Sequence, residues 1–166
     1  MFRNLSIMLG IAGVCALAAG GIAVAAGGFS HDGGAHDQTL TLLDITQQTS
    51  FVDVDGSNGP PTPGDEFIFT DVLKTRDGSR TVGHLHASCT FFVTPPTGAA
   101  TLHCAGTAML ARGSLEFAGT GTATETSSLF NLALTGGTGI YDETHGQVLV
   151  RQISPNRSAV TIDIDA

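Results

Sequence analysis

From about residue 38 onward, Thr, Val, Ile, Leu and Phe alternate with polar residues, and Gly, Pro, Asn and Asp interrupt the runs at short intervals. Two-residue alternation marks strands with two unlike faces, and no window long enough for a helix carries a 3.6-residue period. The pattern predicts eight strands, at about 38–46, 65–74, 81–94, 101–111, 113–125, 127–135, 146–153 and 157–165. "TPPTGA" closes a hairpin between the third and fourth, and "DVDGSNGPPTPG" at 53–64 is too rich in Pro and Gly to be anything but a long loop. Long strands, even in number and following one another directly, suit an all-β, up-and-down antiparallel barrel, with a two-sheet sandwich as the alternative.

Successive side chains of a strand point to opposite sides, so alternation assigns faces. Leu40, Leu42, Asp44 and Thr46 share one, as do Phe67, Phe69, Asp71 and Leu73, and Leu85, Ala87, Cys89, Phe91 and Val93. These apolar rows are expected to point inward, two of them interrupted by a carboxylate. On the opposite faces Leu43, Ile45, Ile68, Val72 and Phe92 also need cover, which predicts packing between subunits.

The first residues change the setting. Arg3, the apolar run Leu5 to Ala25 and the small residues "AVA" at 23–25 have the layout of an export signal, cleaved after Ala25 or Ala26. The expected organisation is a signal peptide at 1–26, a flexible leader at 27–37 and a barrel domain at 38–166, in a secreted or extracytoplasmic protein. An uncleaved membrane anchor is the alternative. Cys15 follows Val14, where lipoprotein processing wants a smaller residue. Without the signal, six basic residues face fifteen acidic ones, a net charge of −9 with no basic cluster. Nucleic acid and, after signal cleavage, membrane surfaces are therefore poor partners. Two cysteines remain, Cys89 and Cys104, and an oxidising compartment makes a disulfide between them the default expectation.

Several motifs that invite a chemical reading do not support one. "GTGTAT" at 119–124 lacks the third glycine of a dinucleotide fingerprint, and "TGGTGIY" at 135–141 has no Lys-Ser/Thr after it to make a phosphate loop. There is no Gly-x-Ser-x-Gly elbow of a hydrolase. His84 and His86 share a strand face, as metal ligands would need to, but that face points outward and no third ligand is near in the pattern. His103 and His145 stand alone, while His31 and His36 belong to the Gly- and Asp-rich leader. No metal and no cofactor is expected.

"LTGGTGIYDETHGQV" at 134–148, where glycines let the chain reverse at positive φ or in close approach, resembles a signature of the allene oxide cyclase and dirigent protein superfamily. "GDEFIFTDVL…TVGHLHASC" at 64–89 is similar to the cyclase pattern of Gly-Asp, a Phe-x-Asn strand, Val-Gly and a closing Cys. "LLDIT" followed by "SNGP" resembles the cyclase Glu-Ile-Asn strand and its Ser-Pro loop. The matches run in the family's order over about 40–150. The resemblance implies an eight-stranded calycin-like barrel, usually trimeric, whose plant members fold an unstable fatty-acid allene oxide into a ring and whose dirigent members steer radical coupling or ring closure.

Carried over residue by residue, the cyclase carboxylate that stabilises positive charge falls on Asp44, and the two water-holding amides fall on Thr46 and Asp71. The flanking aromatic ring falls on Phe69, the Ser-Pro on Gly59 and Pro60, and the cysteine near the substrate on Cys89. Asp44 is shorter than the family's Glu, Asp71 adds a charge, and the Ser is lost, so the plant reaction itself is not expected. Should Cys89 be paired with Cys104, it is a staple without a substrate role.

Two carboxylates in an apolar lumen would repel each other, raise at least one pKa and divide into an acid and a base. Alternatively, both sit at the barrel mouths in water. Three functions stay open: a cyclase or isomerase acting on a hydrophobic small molecule, a non-catalytic binder or carrier of such a molecule, and a structural cell-surface barrel with a filled interior.

Overall fold

The computed structural model describes residues 38–96, 98–124 and 126–165. The expected signal peptide and leader, with Cys15, His31 and His36, lie outside the described residues. Eight strands follow in order: β1 (Gln38–Val52), β2 (Glu66–Thr75), β3 (Thr81–Val93), β4 (Ala100–Leu110), β5 (Gly113–Ala123), β6 (Ser128–Gly137), β7 (His145–Ser154) and β8 (Arg157–Asp165). Each pairs antiparallel with its neighbour in sequence, and β1 also pairs with β8, so the sheet closes into an up-and-down barrel. Closure leaves each inner face with nothing to pack against but the others, which is why the alternating apolar rows converge.

β1 is longer than the alternation predicts. A bulge between Thr46 and Gln48 inserts one residue into the β1–β2 ladder, and the strand runs on to Val52. Past the bulge the parity of β1 is reversed, so Thr49 and Phe51 pair with the inward Phe69 and Phe67. A reversed parity within the polar run "QQTS" hides the second half of the strand from any two-residue pattern. The turn between β6 and β7 holds one 3₁₀ turn, Gly139–Tyr141. Gly139 has φ +67°, and any side chain there would strike the Arg112 carbonyl. The glycines of "LTGGTGIYDETHGQV" are thus conformational.

The barrel is filled at one end and hollow at the other. The end at which β1 begins is packed by Leu73, Leu115, Leu134, Val148 and Ile162, each at most 3 % exposed. Towards the other end the inner positions become small: Ala87 on β3, Ala100 on β4, and Gly119, Gly121 and Ala123 on β5. Gly121 faces Phe130 across the β5–β6 ladder, and a β-carbon there would strike the Phe130 ring. Small residues on one strand make room for rings on the next, and the remaining space is the lumen.

Candidate functional site

The lumen is a cavity of about 1310 Å³ that opens between the loops carrying Pro60, Pro61, Pro95 and Pro96. Asp44, Thr46, Pro60, Phe69, Asp71 and Cys89 all line it. The sequence therefore placed its candidates on one surface, although Gly59 is not part of the lining. Ser57, two residues before Gly59, does not replace the serine of the resemblance, because its Oγ accepts the Gly59 N–H at 3.2 Å.

Strand register decides how the carboxylates meet. Thr46 pairs directly with Asp71 and Asp44 with Leu73, so Asp44 and Asp71 are diagonal neighbours on one face. Both are buried, at 6 % and 4 % exposure, and one oxygen of each, Oδ1, has no hydrogen-bond partner. Burial pushes the Asp44 carboxyl up from 3.8 to about 7, helped by the charge of Asp71 and a hydrogen bond with it. Burial also raises Asp71, but hydrogen bonds from Thr46 and Asp44 and the charge of His86 hold it back. The hydrogen bond between the two raises Asp44 and lowers Asp71, so Asp44 is the donor of the pair and Asp71 the acceptor. Neither carboxylate sits in open water at the mouth.

The walls are aromatic and aliphatic. Phe67 is a hub, its ring centroid 5.1 Å from Phe51, 5.9 Å from Phe69 and 5.5 Å from Phe91. Phe117 and Phe130 face the same space from β5 and β6. Alternation placed Phe67, Phe69 and Phe91 on inward rows and the resemblance singled out Phe69; Phe51, Phe117 and Phe130 were not named.

Cys89 and Cys104 pair directly across the β3–β4 ladder and form a disulfide with an S–S distance of 2.05 Å. The bridge makes Cys89 the staple expected of a paired cysteine. Both cysteines point inward, so the bridge is at once a cross-strand staple and part of the cavity wall.

The loop at 53–65 is held by one buried carboxylate. Asp65 is 2 % exposed and accepts the Val54 N–H at 2.8 Å and the Thr62 N–H at 2.7 Å. These bonds and the Thr62 hydroxyl hold its carboxyl below the usual range. Its backbone carbonyl accepts the Phe91 N–H, which fixes Pro60 and Pro61 at the mouth. The signal was a lone Asp after a Pro/Gly-rich run and just before a strand.

The histidines lie elsewhere. His84 and His86 are exposed on the outer face, His86 Nδ1 being 3.4 Å from the Thr70 hydroxyl, and His103 stacks on Phe92 at 5.8 Å. Among the described residues, no three His, Cys, Asp or Glu side chains come together to hold a metal ion.

Comparison with known proteins agrees with this geometry. The family model described as the allene oxide cyclase barrel like domain matches residues 44–164. A comparison with curated proteins gives no match. Among solved structures the chain is similar to a pyocyanin demethylase, at 26 % identity and TM-score 0.65, over 76 % of this chain and 99 % of that one. It is also similar to AbnU, an exo-specific intermolecular Diels-Alderase, at 13 % identity and TM-score 0.59, over 79 % of this chain and 99 % of the other. The pterocarpan synthase dirigent protein GePTS1 has 17 % identity and TM-score 0.59, over 78 % of this chain and 86 % of that one. The last two likenesses concern the fold alone. With its closed eight-stranded barrel and a family match over most of its length, the chain belongs to the allene oxide cyclase barrel-like family.

Proposed function

We propose that this barrel binds a hydrophobic, ring-forming or ring-bearing small molecule in its lumen and promotes an intramolecular rearrangement of it, of the cyclase or isomerase kind. The observation that carries the reading is the Asp44–Asp71 pair, buried in the wall of the cavity with one oxygen of each unpartnered and the Asp44 carboxyl held well above its usual range. The walls hold the substrate in a folded conformation, which supplies much of the acceleration of a ring closure. Asp44 donates its proton where negative charge develops, and ionised Asp71 steadies positive charge or takes a proton back.

Relatives named for demethylation of pyocyanin, for a Diels–Alder reaction and for pterocarpan synthesis support a small-molecule site on this barrel. Their different reactions mean that the site, and not the fold, selects the chemistry. A non-catalytic carrier is the second reading, favoured by the same lumen if the shared proton does no work. A structural barrel with a filled interior is disfavoured by the hollow half. Exposed Ile68, Phe92 and Met109 on the outer wall support a homo-oligomer, with the trimer of the resemblance as the form to test by light scattering. Secretion, with the N-terminal anchor as its alternative, belongs to the same proposal.

The test is native mass spectrometry of the chain incubated with an apolar extract of its producing cells, followed over time. The reading predicts a bound small molecule that is converted by the parent chain and held unconverted by Asp44→Asn. No bindable molecule contradicts the lumen reading, and full-rate conversion by Asp44→Asn contradicts the role of the proton.

A further inference from the structure

The lumen has two unlike walls. Around β3 to β6 the strands contribute Leu, Ala, Phe and the disulfide, with Ser128 as their one polar side chain, whereas β1, β8 and β7 contribute Asp44, Thr46, Thr49, Ser158 and Gln152, and β2 sets Asp71 beside Phe67 and Phe69. On that side Asp44 pairs directly with Ser158 of β8, and Ser158 pairs directly with Gln152 of β7. All three line the cavity, so they form a lateral row across three adjacent strands. Neighbouring strands stand ~4.8 Å apart, so the row offers polar groups at about that interval over roughly 10 Å. Ser158 and Gln152 are half-buried, and neither side chain has a hydrogen-bond partner among the described residues. A hydroxyl and an amide set in an apolar wall are satisfied by whatever occupies the space beside them.

Charge narrows the occupant. Among the described lining residues the only cation is Arg157, exposed at the mouth and one residue outside the row. An anionic group on the row would lie beside the buried Asp44 and Asp71 carboxyls, with only the exposed Arg157 outside the row to offset it, so the row suits neutral oxygen or nitrogen substituents. The opposite wall offers apolar area and ring faces for the rest of the molecule.

We propose that Ser158 and Gln152 are specificity-determining residues that select neutral aromatic molecules bearing two oxygen substituents on one edge, in the 1,3 relation. That spacing is about one strand interval, so one substituent meets Ser158 and the other Gln152. The inference rests on the lumen being a small-molecule site, and it adds which class of molecule enters. Gln152 both donates and accepts, and the Ser158 hydroxyl rotates to suit, so hydroxyl and carbonyl substituents are both accommodated.

The test is calorimetric titration of the full chain with three probes of nearly equal apolar area: 3-phenylphenol, 5-phenylresorcinol and phenylhydroquinone. 5-Phenylresorcinol is expected to bind about fivefold more tightly than the other two, the worth of one added hydrogen bond. Ser158→Ala and Gln152→Leu should each abolish that advantage, with a parental far-ultraviolet circular dichroism spectrum showing that the variants are folded. Equal affinity for the three probes, or an advantage kept in either variant, overturns the selection by this row while leaving the lumen reading intact. Failure of all three probes to bind overturns both.

Discussion

Asp71 lies diagonally across the β1–β2 ladder from Asp44, and each keeps one buried oxygen without a partner. The raised Asp44 pKa makes stability depend on pH with a definite sign. The folded state holds a proton that the unfolded chain releases near 3.8, so stability is greatest below that value and falls as pH rises to about 7. One proton gives a slope of about 1.4 kcal/mol per pH unit at most. The lowered groups Asp55, Asp65 and Asp77 act in the opposite sense and at lower pH. Urea midpoints measured from pH 4 to 8 should fall across this window and level off above it. Asp44→Asn should flatten much of the decline.

The disulfide joins residues 15 apart in sequence. Closing a loop of that size restricts the unfolded chain by about 3 kcal/mol. The double variant Cys89→Ala, Cys104→Ala should therefore lose roughly 2–4 kcal/mol of stability while keeping its β-sheet spectrum. Because the bridge also lines the lumen, its removal should change ligand affinity as well, measurable by titration of the same variant.

Packing differs between the two ends of the barrel, and truncation reports it. Leu115 is fully buried in the filled half, whereas Leu132 borders the lumen. Leu115→Ala should cost about 2–5 kcal/mol, as expected when a new cavity opens in a packed core. Leu132→Ala enlarges space that already exists, so denaturant unfolding should show a clearly smaller loss, and ligand selectivity should broaden.

Much of this architecture was legible in the chain. Alternation set the inward rows of β1, β2 and β3 and hence the common face of Asp44, Thr46, Phe69, Asp71 and Cys89, but Val93 leaves its row, exposed past the register shift between Phe91 and Val93. The second half of β1 was not legible, because the bulge at Thr46–Gln48 reverses parity inside a polar run. Ser158 and Gln152 were missed for another reason. Each is a polar residue on an inward position of β8 or β7, and only the register of a closed barrel aligns them with Asp44. Cys89 was expected to be structural once bridged because pairing uses up its thiol; that the bridge also borders open space was not legible, because periodicity gives the side of a strand but not whether the space beside it is filled.

Asp65 pins the mouth loop through two backbone amides. Asp65→Ala strips both acceptors, and hydrogen exchange at the Val54 and Thr62 amides should accelerate by about fivefold or more. Asp65→Asn retains one acceptor oxygen and should accelerate exchange less. Pro60 and Pro61 ride on this loop, so ligand association should also change in the alanine variant.

The proposed function turns on a hollow lumen that keeps one proton on the Asp44–Asp71 pair and presents it to a bound molecule. Carbon-13 NMR titration of the aspartate carboxyls tests this most directly, with Asp44→Asn and Asp71→Asn assigning the two signals. Asp44 is expected to titrate near 7, with a midpoint that drops in Asp71→Asn yet stays above 3.8 and that moves when 5-phenylresorcinol fills the lumen. Two carboxylates both titrating near 3.8, indifferent to each other and to the ligand, would contradict it.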